Sequence, residues 1–96
     1  MSAIEQVRFH RAAILALAAR YGARNVRIFG SIARGEDHPD SDLDLVVEWE
    51  ERAGLFDQIA LMQDTEALVG RKVDLVDPVL LRPELRQRIL AEAVPL

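Results

Sequence analysis

Phe29-Gly30-Ser31-Ile32-Ala33-Arg34-Gly35-Glu36-Asp37-His38-Pro39-Asp40-Ser41-Asp42-Leu43-Asp44-Leu45-Val46-Val47-Glu48 is the stretch on which the reading of this chain turns. An apolar run from Val26 to Phe29, with Arg27 alternating outward, predicts a strand that stops at Gly30-Ser31. Ser31 is placed to cap a short helical turn running through Arg34, which Gly35 closes. Glu36 to Ser41 is polar and holds a proline, so it reads as a loop. Asp42 to Trp49 alternates and then runs apolar, as a half-buried strand does. Residues i and i+2 of a strand share a face, so Asp42 and Asp44 project together while Leu43 and Leu45 point to the core. Neighbouring carboxylates repel, and the usual outcomes are a raised pKa or a bound cation. Oxygen ligands suit a hard ion such as Mg²⁺. A solvated polar face of an edge strand is the alternative for so short a motif.

Working outward, Ile4 to about Arg20 reads as one amphipathic helix, with Val7, Ile14, Leu17, Ala18 and Tyr21 on a stripe and Gly22 as its stop. A second helix is expected from Leu55 to Val69, with Leu55, Ile59, Met62 and Val69 on its inner face and Gly70 at its end. Lys72 to Val76 predicts a third strand, broken by Asp77-Pro78. Pro83 opens a last helix to about Ala93, with Leu85, Ile89 and Ala93 one turn apart. Strands separated by helices indicate an α/β (α+β) arrangement with helices packed on a small sheet. In the third strand Asp74 interrupts an apolar run between Val73 and Leu75. An ionised carboxylate is costly to bury unpaired, so it needs a partner or a purpose. If its strand lies beside that of Asp42 and Asp44, three acids converge, the ligand set for two Mg²⁺ ions in phosphoryl transfer; a salt bridge to Arg71 is the alternative. Gly30 lets the backbone approach a phosphate, Ser31 adds a hydroxyl donor and Arg34 a guanidinium one turn on. Next to three acids, that turn reads as a nucleoside triphosphate site, whereas alone it reads as an ordinary Gly-Ser turn with a surface arginine.

The chain has 96 residues, half of them hydrophobic and 29% charged, with no cysteine and two histidines. A single domain over residues 1–96 is expected, burying roughly two-thirds of its unfolded surface. Disulfide scaffolds, thiolate zinc sites and cysteine nucleophiles are excluded. A net charge of −4 disfavours binding of long DNA or RNA through the phosphate backbone. Ala12 to Ala19 imitates a weak signal peptide, but it is short, bracketed by Arg11 and Arg20, and continues the helical stripe. A cytoplasmic protein with no membrane partner is the expectation.

Gly30-Ser31, ten intervening residues and then Asp42-Leu43-Asp44 resemble the signature of the polymerase-beta-like nucleotidyltransferases, and Phe29 to Glu48 as a whole resembles their minimal branch. The resemblance covers nearly the whole chain, including the Asp74 strand and the proline-led last helix. It implies a compact α/β core with a mixed sheet, ATP as substrate and two Mg²⁺ ions. By position, Gly30 and Ser31, with Arg34 nearby, fall on the triphosphate. Asp42, Asp44 and Asp74 fall on the metal and the chemistry, Asp74 also helping to activate the acceptor hydroxyl. The resemblance further implies transfer of AMP with release of pyrophosphate. It points to an antitoxin, of a type VII-like kind, that modifies a tyrosine of a HEPN-domain ribonuclease toxin, sometimes repeatedly. No second domain that would grip an acceptor is expected, which suits a protein acceptor.

Two other readings stay open. One is a module that neutralises its partner by covering it, with Leu80, Leu81, Val94 and Leu96 as interface candidates or simply as tail packing. The other is nucleotidyl transfer to a small-molecule hydroxyl. Trp49 and His38 are read as a core or interface residue and a solvated loop residue.

Overall fold

A computed structural model describes all 96 residues. Ser2 starts helix α1 (Ala3–Phe9) through a capping box, its hydroxyl accepting from the Glu5 N–H while the Glu5 carboxylate accepts from the Ser2 N–H. Helix α2 spans Arg11–Tyr21. The single helix expected from Ile4 is therefore two. The chain pivots at His10, whose N–H bonds the Val7 carbonyl three residues back, and no glycine or proline announces the break. Gly22 ends α2 in the left-handed region at φ 82°, as its position implied.

Strand β1 is Ala23–Phe29, longer than the predicted run. Its first half escapes the alternation rule because a bulge falls between Arg24 and Arg27, with Asn25 at φ 53°. A short helix α3 (Gly30–Arg34) follows, then strand β2 (Leu43–Trp49), helix α4 (Leu55–Val69), strand β3 (Val73–Val76), a 3-10 turn (Pro78–Leu80), helix α5 (Pro83–Glu92) and a two-residue strand β4 (Val94–Pro95). The Asp77 carboxylate caps the 3-10 turn by accepting from the Val79 N–H.

The sheet has the order β3-β2-β1-β4. β1 pairs antiparallel with β2 and β4, and β2 pairs parallel with β3, so it is the small mixed sheet the sequence led us to expect. The unexpected β4 is too short to signal itself. It forms on the edge of β1, and Arg8 holds it by donating to the Pro95 carbonyl.

Ile28, Leu43, Leu45, Val47 and Val73 send their side chains into one core with Ile14, Ala18 and Leu61. At about 25 cal/mol per Å² of apolar surface removed from water, this layer is the main stabilising term. On α4 the packed residues are Leu61, Thr65, Met62, Leu68 and Val69. Leu55 and Ile59, expected on the inner face, are 67% and 37% exposed, whereas Met62 and Val69, expected there too, pack on the core. The tail residues Val94 and Leu96 pack on the core while Leu80 is exposed and Leu81 half-buried, so half of the interface considered for a covering module is internal packing.

The other face of the sheet carries Arg27, Asp44, Val46 and Glu48. Val46 is fully buried outside the main core, and the Pro78–Leu80 turn packs against its strand. No helix is long and apolar enough to cross a membrane.

Candidate functional site: a carboxylate pair beside a glycine turn

Where β1 ends and β2 begins, the sheet brings together residues from three segments. Parallel pairing sets Asp44 opposite Asp74, with Leu43 opposite Val73 and Leu45 opposite Leu75. Antiparallel pairing on the other side sets Phe29 opposite Asp44. Both apolar neighbours of Asp44 on β2 are buried, which holds the carboxylate on the opposite face.

Asp44 is half-buried and its carboxyl is pushed up to about 6. Burial is the largest cause, followed by repulsion from Asp74 and Asp42 and by a hydrogen bond shared with Asp74; Arg34 opposes these by attraction. This is the behaviour of acids whose charges crowd one another.

Asp42 stands one residue before β2, outside the ladder, so its place beside Asp44 is set by the loop and not by strand alternation. Asp74 is exposed on the edge strand, not enclosed in an apolar run. A four-residue edge strand leaves one face open, and that removes the burial argument made for Asp74 from sequence. No salt bridge joins it to Arg71, whose guanidinium donates instead to the Ser41 carbonyl and steadies the loop ahead of Asp42.

No three histidine, aspartate or glutamate side chains are gathered closely enough to cage an ion by themselves. The donor set nevertheless fits Mg²⁺. These are oxygen ligands close to solvent, one of them with its pKa raised by burial and then by its acidic neighbours, and Mg²⁺ characteristically takes one or two carboxylates and completes its shell with phosphate oxygens and water.

Gly30 is at φ +77°, a conformation a side chain strains. A Cβ placed there would also run into the Asp44 carboxylate, lying 3.0 Å from its Cγ. The glycine therefore shapes the turn and leaves room for the acid. Helix α3 begins at Gly30 itself, its N-cap position is Phe29, and no side chain caps it. Ser31 is thus inside the helix and not its cap. The reason is that Gly30's left-handed φ turns the chain straight from strand into helix. The half-buried Ser31 hydroxyl makes no hydrogen bond within the chain and is free to donate.

Arg34 is tied to Glu36 at 3.1 Å and to Glu92 of α5, which raise its pKa in that order. Its reach to Asp44 is electrostatic. Sequence reasoning passed over Glu92, which anchors Arg34, and Phe29, the half-buried ring opposite Asp44. Alternation from Arg27 already placed Phe29 on the acid face; nothing in the sequence signalled Glu92.

Residues 14–96 match the family model described as polymerase beta, nucleotidyltransferase. The chain is 41% identical over 78 residues to protein adenylyltransferase MntA of Thermococcus cleftensis, covering 81% of this chain and 79% of that protein. It is 37% identical over 81 residues to a protein of Methanocaldococcus jannaschii provisionally named as a protein adenylyltransferase, covering 84% and 87%. A solved structure provisionally described as a minimal nucleotidyltransferase superposes with a TM-score of 0.89 at 49% identity, covering 100% of this chain and 97% of that one. A toxin-antitoxin structure with AMP-PNP superposes with a TM-score of 0.72 at 24% identity, over 85% of this chain and 68% of that one, a likeness of fold alone.

Proposed function

The chain belongs to the polymerase-beta nucleotidyltransferase family, and from that premise we propose that it is an adenylyltransferase moving AMP from ATP onto a hydroxyl of a partner protein. The observation that carries this reading is the register of β2 and β3, which sets Asp44 against Asp74 beside the Gly30 turn. In the reaction the acceptor oxygen forms a bond to the α-phosphorus and the bond to pyrophosphate breaks. Asp74, the most exposed of the three acids, takes the acceptor's proton or holds it while the oxygen attacks. Gly30 admits the triphosphate close to the backbone, Ser31 donates to a phosphate oxygen, and Arg34 contributes positive charge at longer range. Asp42, Asp44 and Asp74 would hold Mg²⁺, which supplies charge neutralisation for the triphosphate and the departing pyrophosphate. With little covalent chemistry for the protein to do, catalysis is mainly positioning.

The partner we propose is a HEPN-domain ribonuclease toxin, modified on a tyrosine, with this chain as the antitoxin in the cytoplasm. The toxin partner and its tyrosine rest on the resemblance of the signature, and the name of the Thermococcus relative supports only transfer to a protein. A single catalytic domain over residues 1–96 is part of the same proposal.

The test is incubation of the purified chain and its co-expressed partner with labelled ATP and Mg²⁺. Label on the partner, lost in Asp44→Ala, supports the reading. Stoichiometric neutralisation of the partner with no label on it defeats the reading and leaves a covering module.

A further inference from the structure

The face of the sheet that bears the acids also bears a second polar feature at its far end. Arg27 lies opposite Val46, and Val46 and Glu48 follow Asp44 at two-residue steps, so all four side chains share that face. There a cavity of about 320 Å³ is lined by Arg27, Glu48, Pro78, Val79, Arg86 and Leu90.

Its two guanidinium groups are poorly neutralised. The Arg27 Nε is buried with no hydrogen-bond partner, and the nearest carboxylate oxygen, Glu48 Oε2, is 3.8 Å from its Nη2 and already accepts from Asn25. Arg86 is pinned by two neutral groups, Nε donating to the Pro78 carbonyl and Nη2 to the Leu81 carbonyl, both at 2.8 Å, and it forms no ion pair. Two arginines against one glutamate leave the cavity positive in a chain whose net charge is −4. Buried polar groups without partners are uncommon, and an arginine whose charge is only distantly balanced suits a further carboxylate.

The rim indicates where that carboxylate comes from. Val79 and Leu80 of the 3-10 turn are 75% and 83% exposed, and Val79 also lines the cavity. A free small anion gains nothing from such a rim, whereas a polypeptide laid over it buries both side chains along with its own acid. Four residues of β2, about 13 Å at about 3.3 Å per residue, separate Asp44 from Glu48. An extended acceptor segment has the same rise.

We propose that this cavity is a specificity site that receives an acidic side chain of the protein acceptor, about four residues from the hydroxyl presented to Asp44 and Asp74. The inference rests on the adenylyltransferase reading for what the segment is, but not for its binding.

The test uses the full chain and two probes, the peptides acetyl-Tyr-Ala-Ala-Ala-Glu-amide and acetyl-Tyr-Ala-Ala-Ala-Gln-amide, with glutarate as a third ligand. Affinity is followed by NMR at the arginine Nε–H signals. The expected result is about a tenfold preference for the glutamate peptide, lost in Arg27→Gln and largely regained in Arg27→Lys. Thermal unfolding of each variant confirms that it is folded. Equal binding of the two peptides, or a preference that survives Arg27→Gln, overturns the proposal. Glutarate binding as tightly as the peptide overturns the polypeptide source and makes the cavity a small-anion site. Labelled ATP is then added to the same mixtures. Selective binding without AMP transfer counts against the adenylyltransferase reading and leaves the cavity's selectivity standing. Transfer without selectivity does the reverse.

Discussion

Replacing Asp44 by asparagine should stabilise the metal-free protein while removing its activity, and the size of the effect follows from the carboxyl's surroundings. Its pKa stands at about 6 against an ordinary 3.8. Converted at about 1.4 kcal/mol per pH unit, that is about 3 kcal/mol. Solvent still reaches the half-buried group, and screening leaves about 1–1.5 kcal/mol. The sign follows from proton linkage. The folded state binds this proton more tightly than the unfolded state does. Its contribution is therefore full below the ordinary aspartate range and is lost as pH rises through about 6. Asparagine is neutral throughout and does not suffer that loss. In EDTA near neutral pH, Asp44→Asn should melt higher than the native protein by about 4–8 °C for each kcal/mol gained. Below the ordinary aspartate range the two melting temperatures should converge. Magnesium with a non-hydrolysable ATP analogue should raise the melting temperature of the native chain only, since a ligand stabilises the state that binds it. The assay is a set of thermal unfolding curves across pH, with and without magnesium and nucleotide. An unchanged or lower melting temperature in EDTA at neutral pH, or a gap that does not narrow in acid, would refute the reasoning about crowded charge.

Gly30→Ala should cost about 1–2 kcal/mol for its left-handed backbone, and nucleotide binding should fall far more than stability, because the new methyl displaces the Asp44 carboxylate; isothermal titration beside thermal unfolding separates the two. Thr65 is fully buried with its hydroxyl unpartnered, so Thr65→Val, of nearly the same shape, should raise stability by about 1 kcal/mol in denaturant titration. Tyr21, the sole tyrosine, donates to Asp64 at 2.6 Å, which lifts its pKa above the ordinary 10.0. Ultraviolet titration should show it ionising late in the native chain and earlier in Asp64→Asn.

What the sequence discloses and what it hides divide along physical lines. Helix α4 is legible to the residue because Gly54 and Gly70 bracket it and a left-handed glycine stops it. Its buried face was half legible: Met62 and Val69 pack on the core as expected, while Leu55 and Ile59 satisfy helical spacing equally and stay exposed, since spacing alone does not say which turns find a partner. The pivot at His10 carries no breaker residue. β4 exists only because β1 offers an edge to Val94-Pro95. At the site, Gly30 and Asp44 are legible because strand alternation and glycine geometry are local rules, whereas Asp42 lies one residue before β2, where alternation does not reach. The register that sets Asp74 against Asp44 is not local, and the expectation that the two strands are neighbours came without the pairing that aligns them. The expected role of Ser31 as a cap failed for a local reason that sequence does not display, namely that helix α3 starts one residue earlier.

The exposure of Asp74 bears on what kind of acceptor this architecture suits. An acid enclosed in the sheet would meet only what a pocket admits. Here Asp74 stands exposed on an edge strand beside the half-buried Asp44 of its inner neighbour, and neither lines a cavity of the surface. Such a face gives a small molecule few walls, and the discrimination among acceptors must come from contacts away from the reacting atoms. The same sheet face continues past buried Val46 to the arginine cavity, with two exposed aliphatic side chains at its rim. Strand β2 thus carries a carboxylate of the candidate site at one end and a lining residue of a cationic cavity at the other. On the proposed reading, a polypeptide that spans both ends would be selected at the second while it reacts at the first. An enzyme working on a small hydroxyl compound would have no use for that separation, so the proposed specificity site and the proposed protein acceptor stand together.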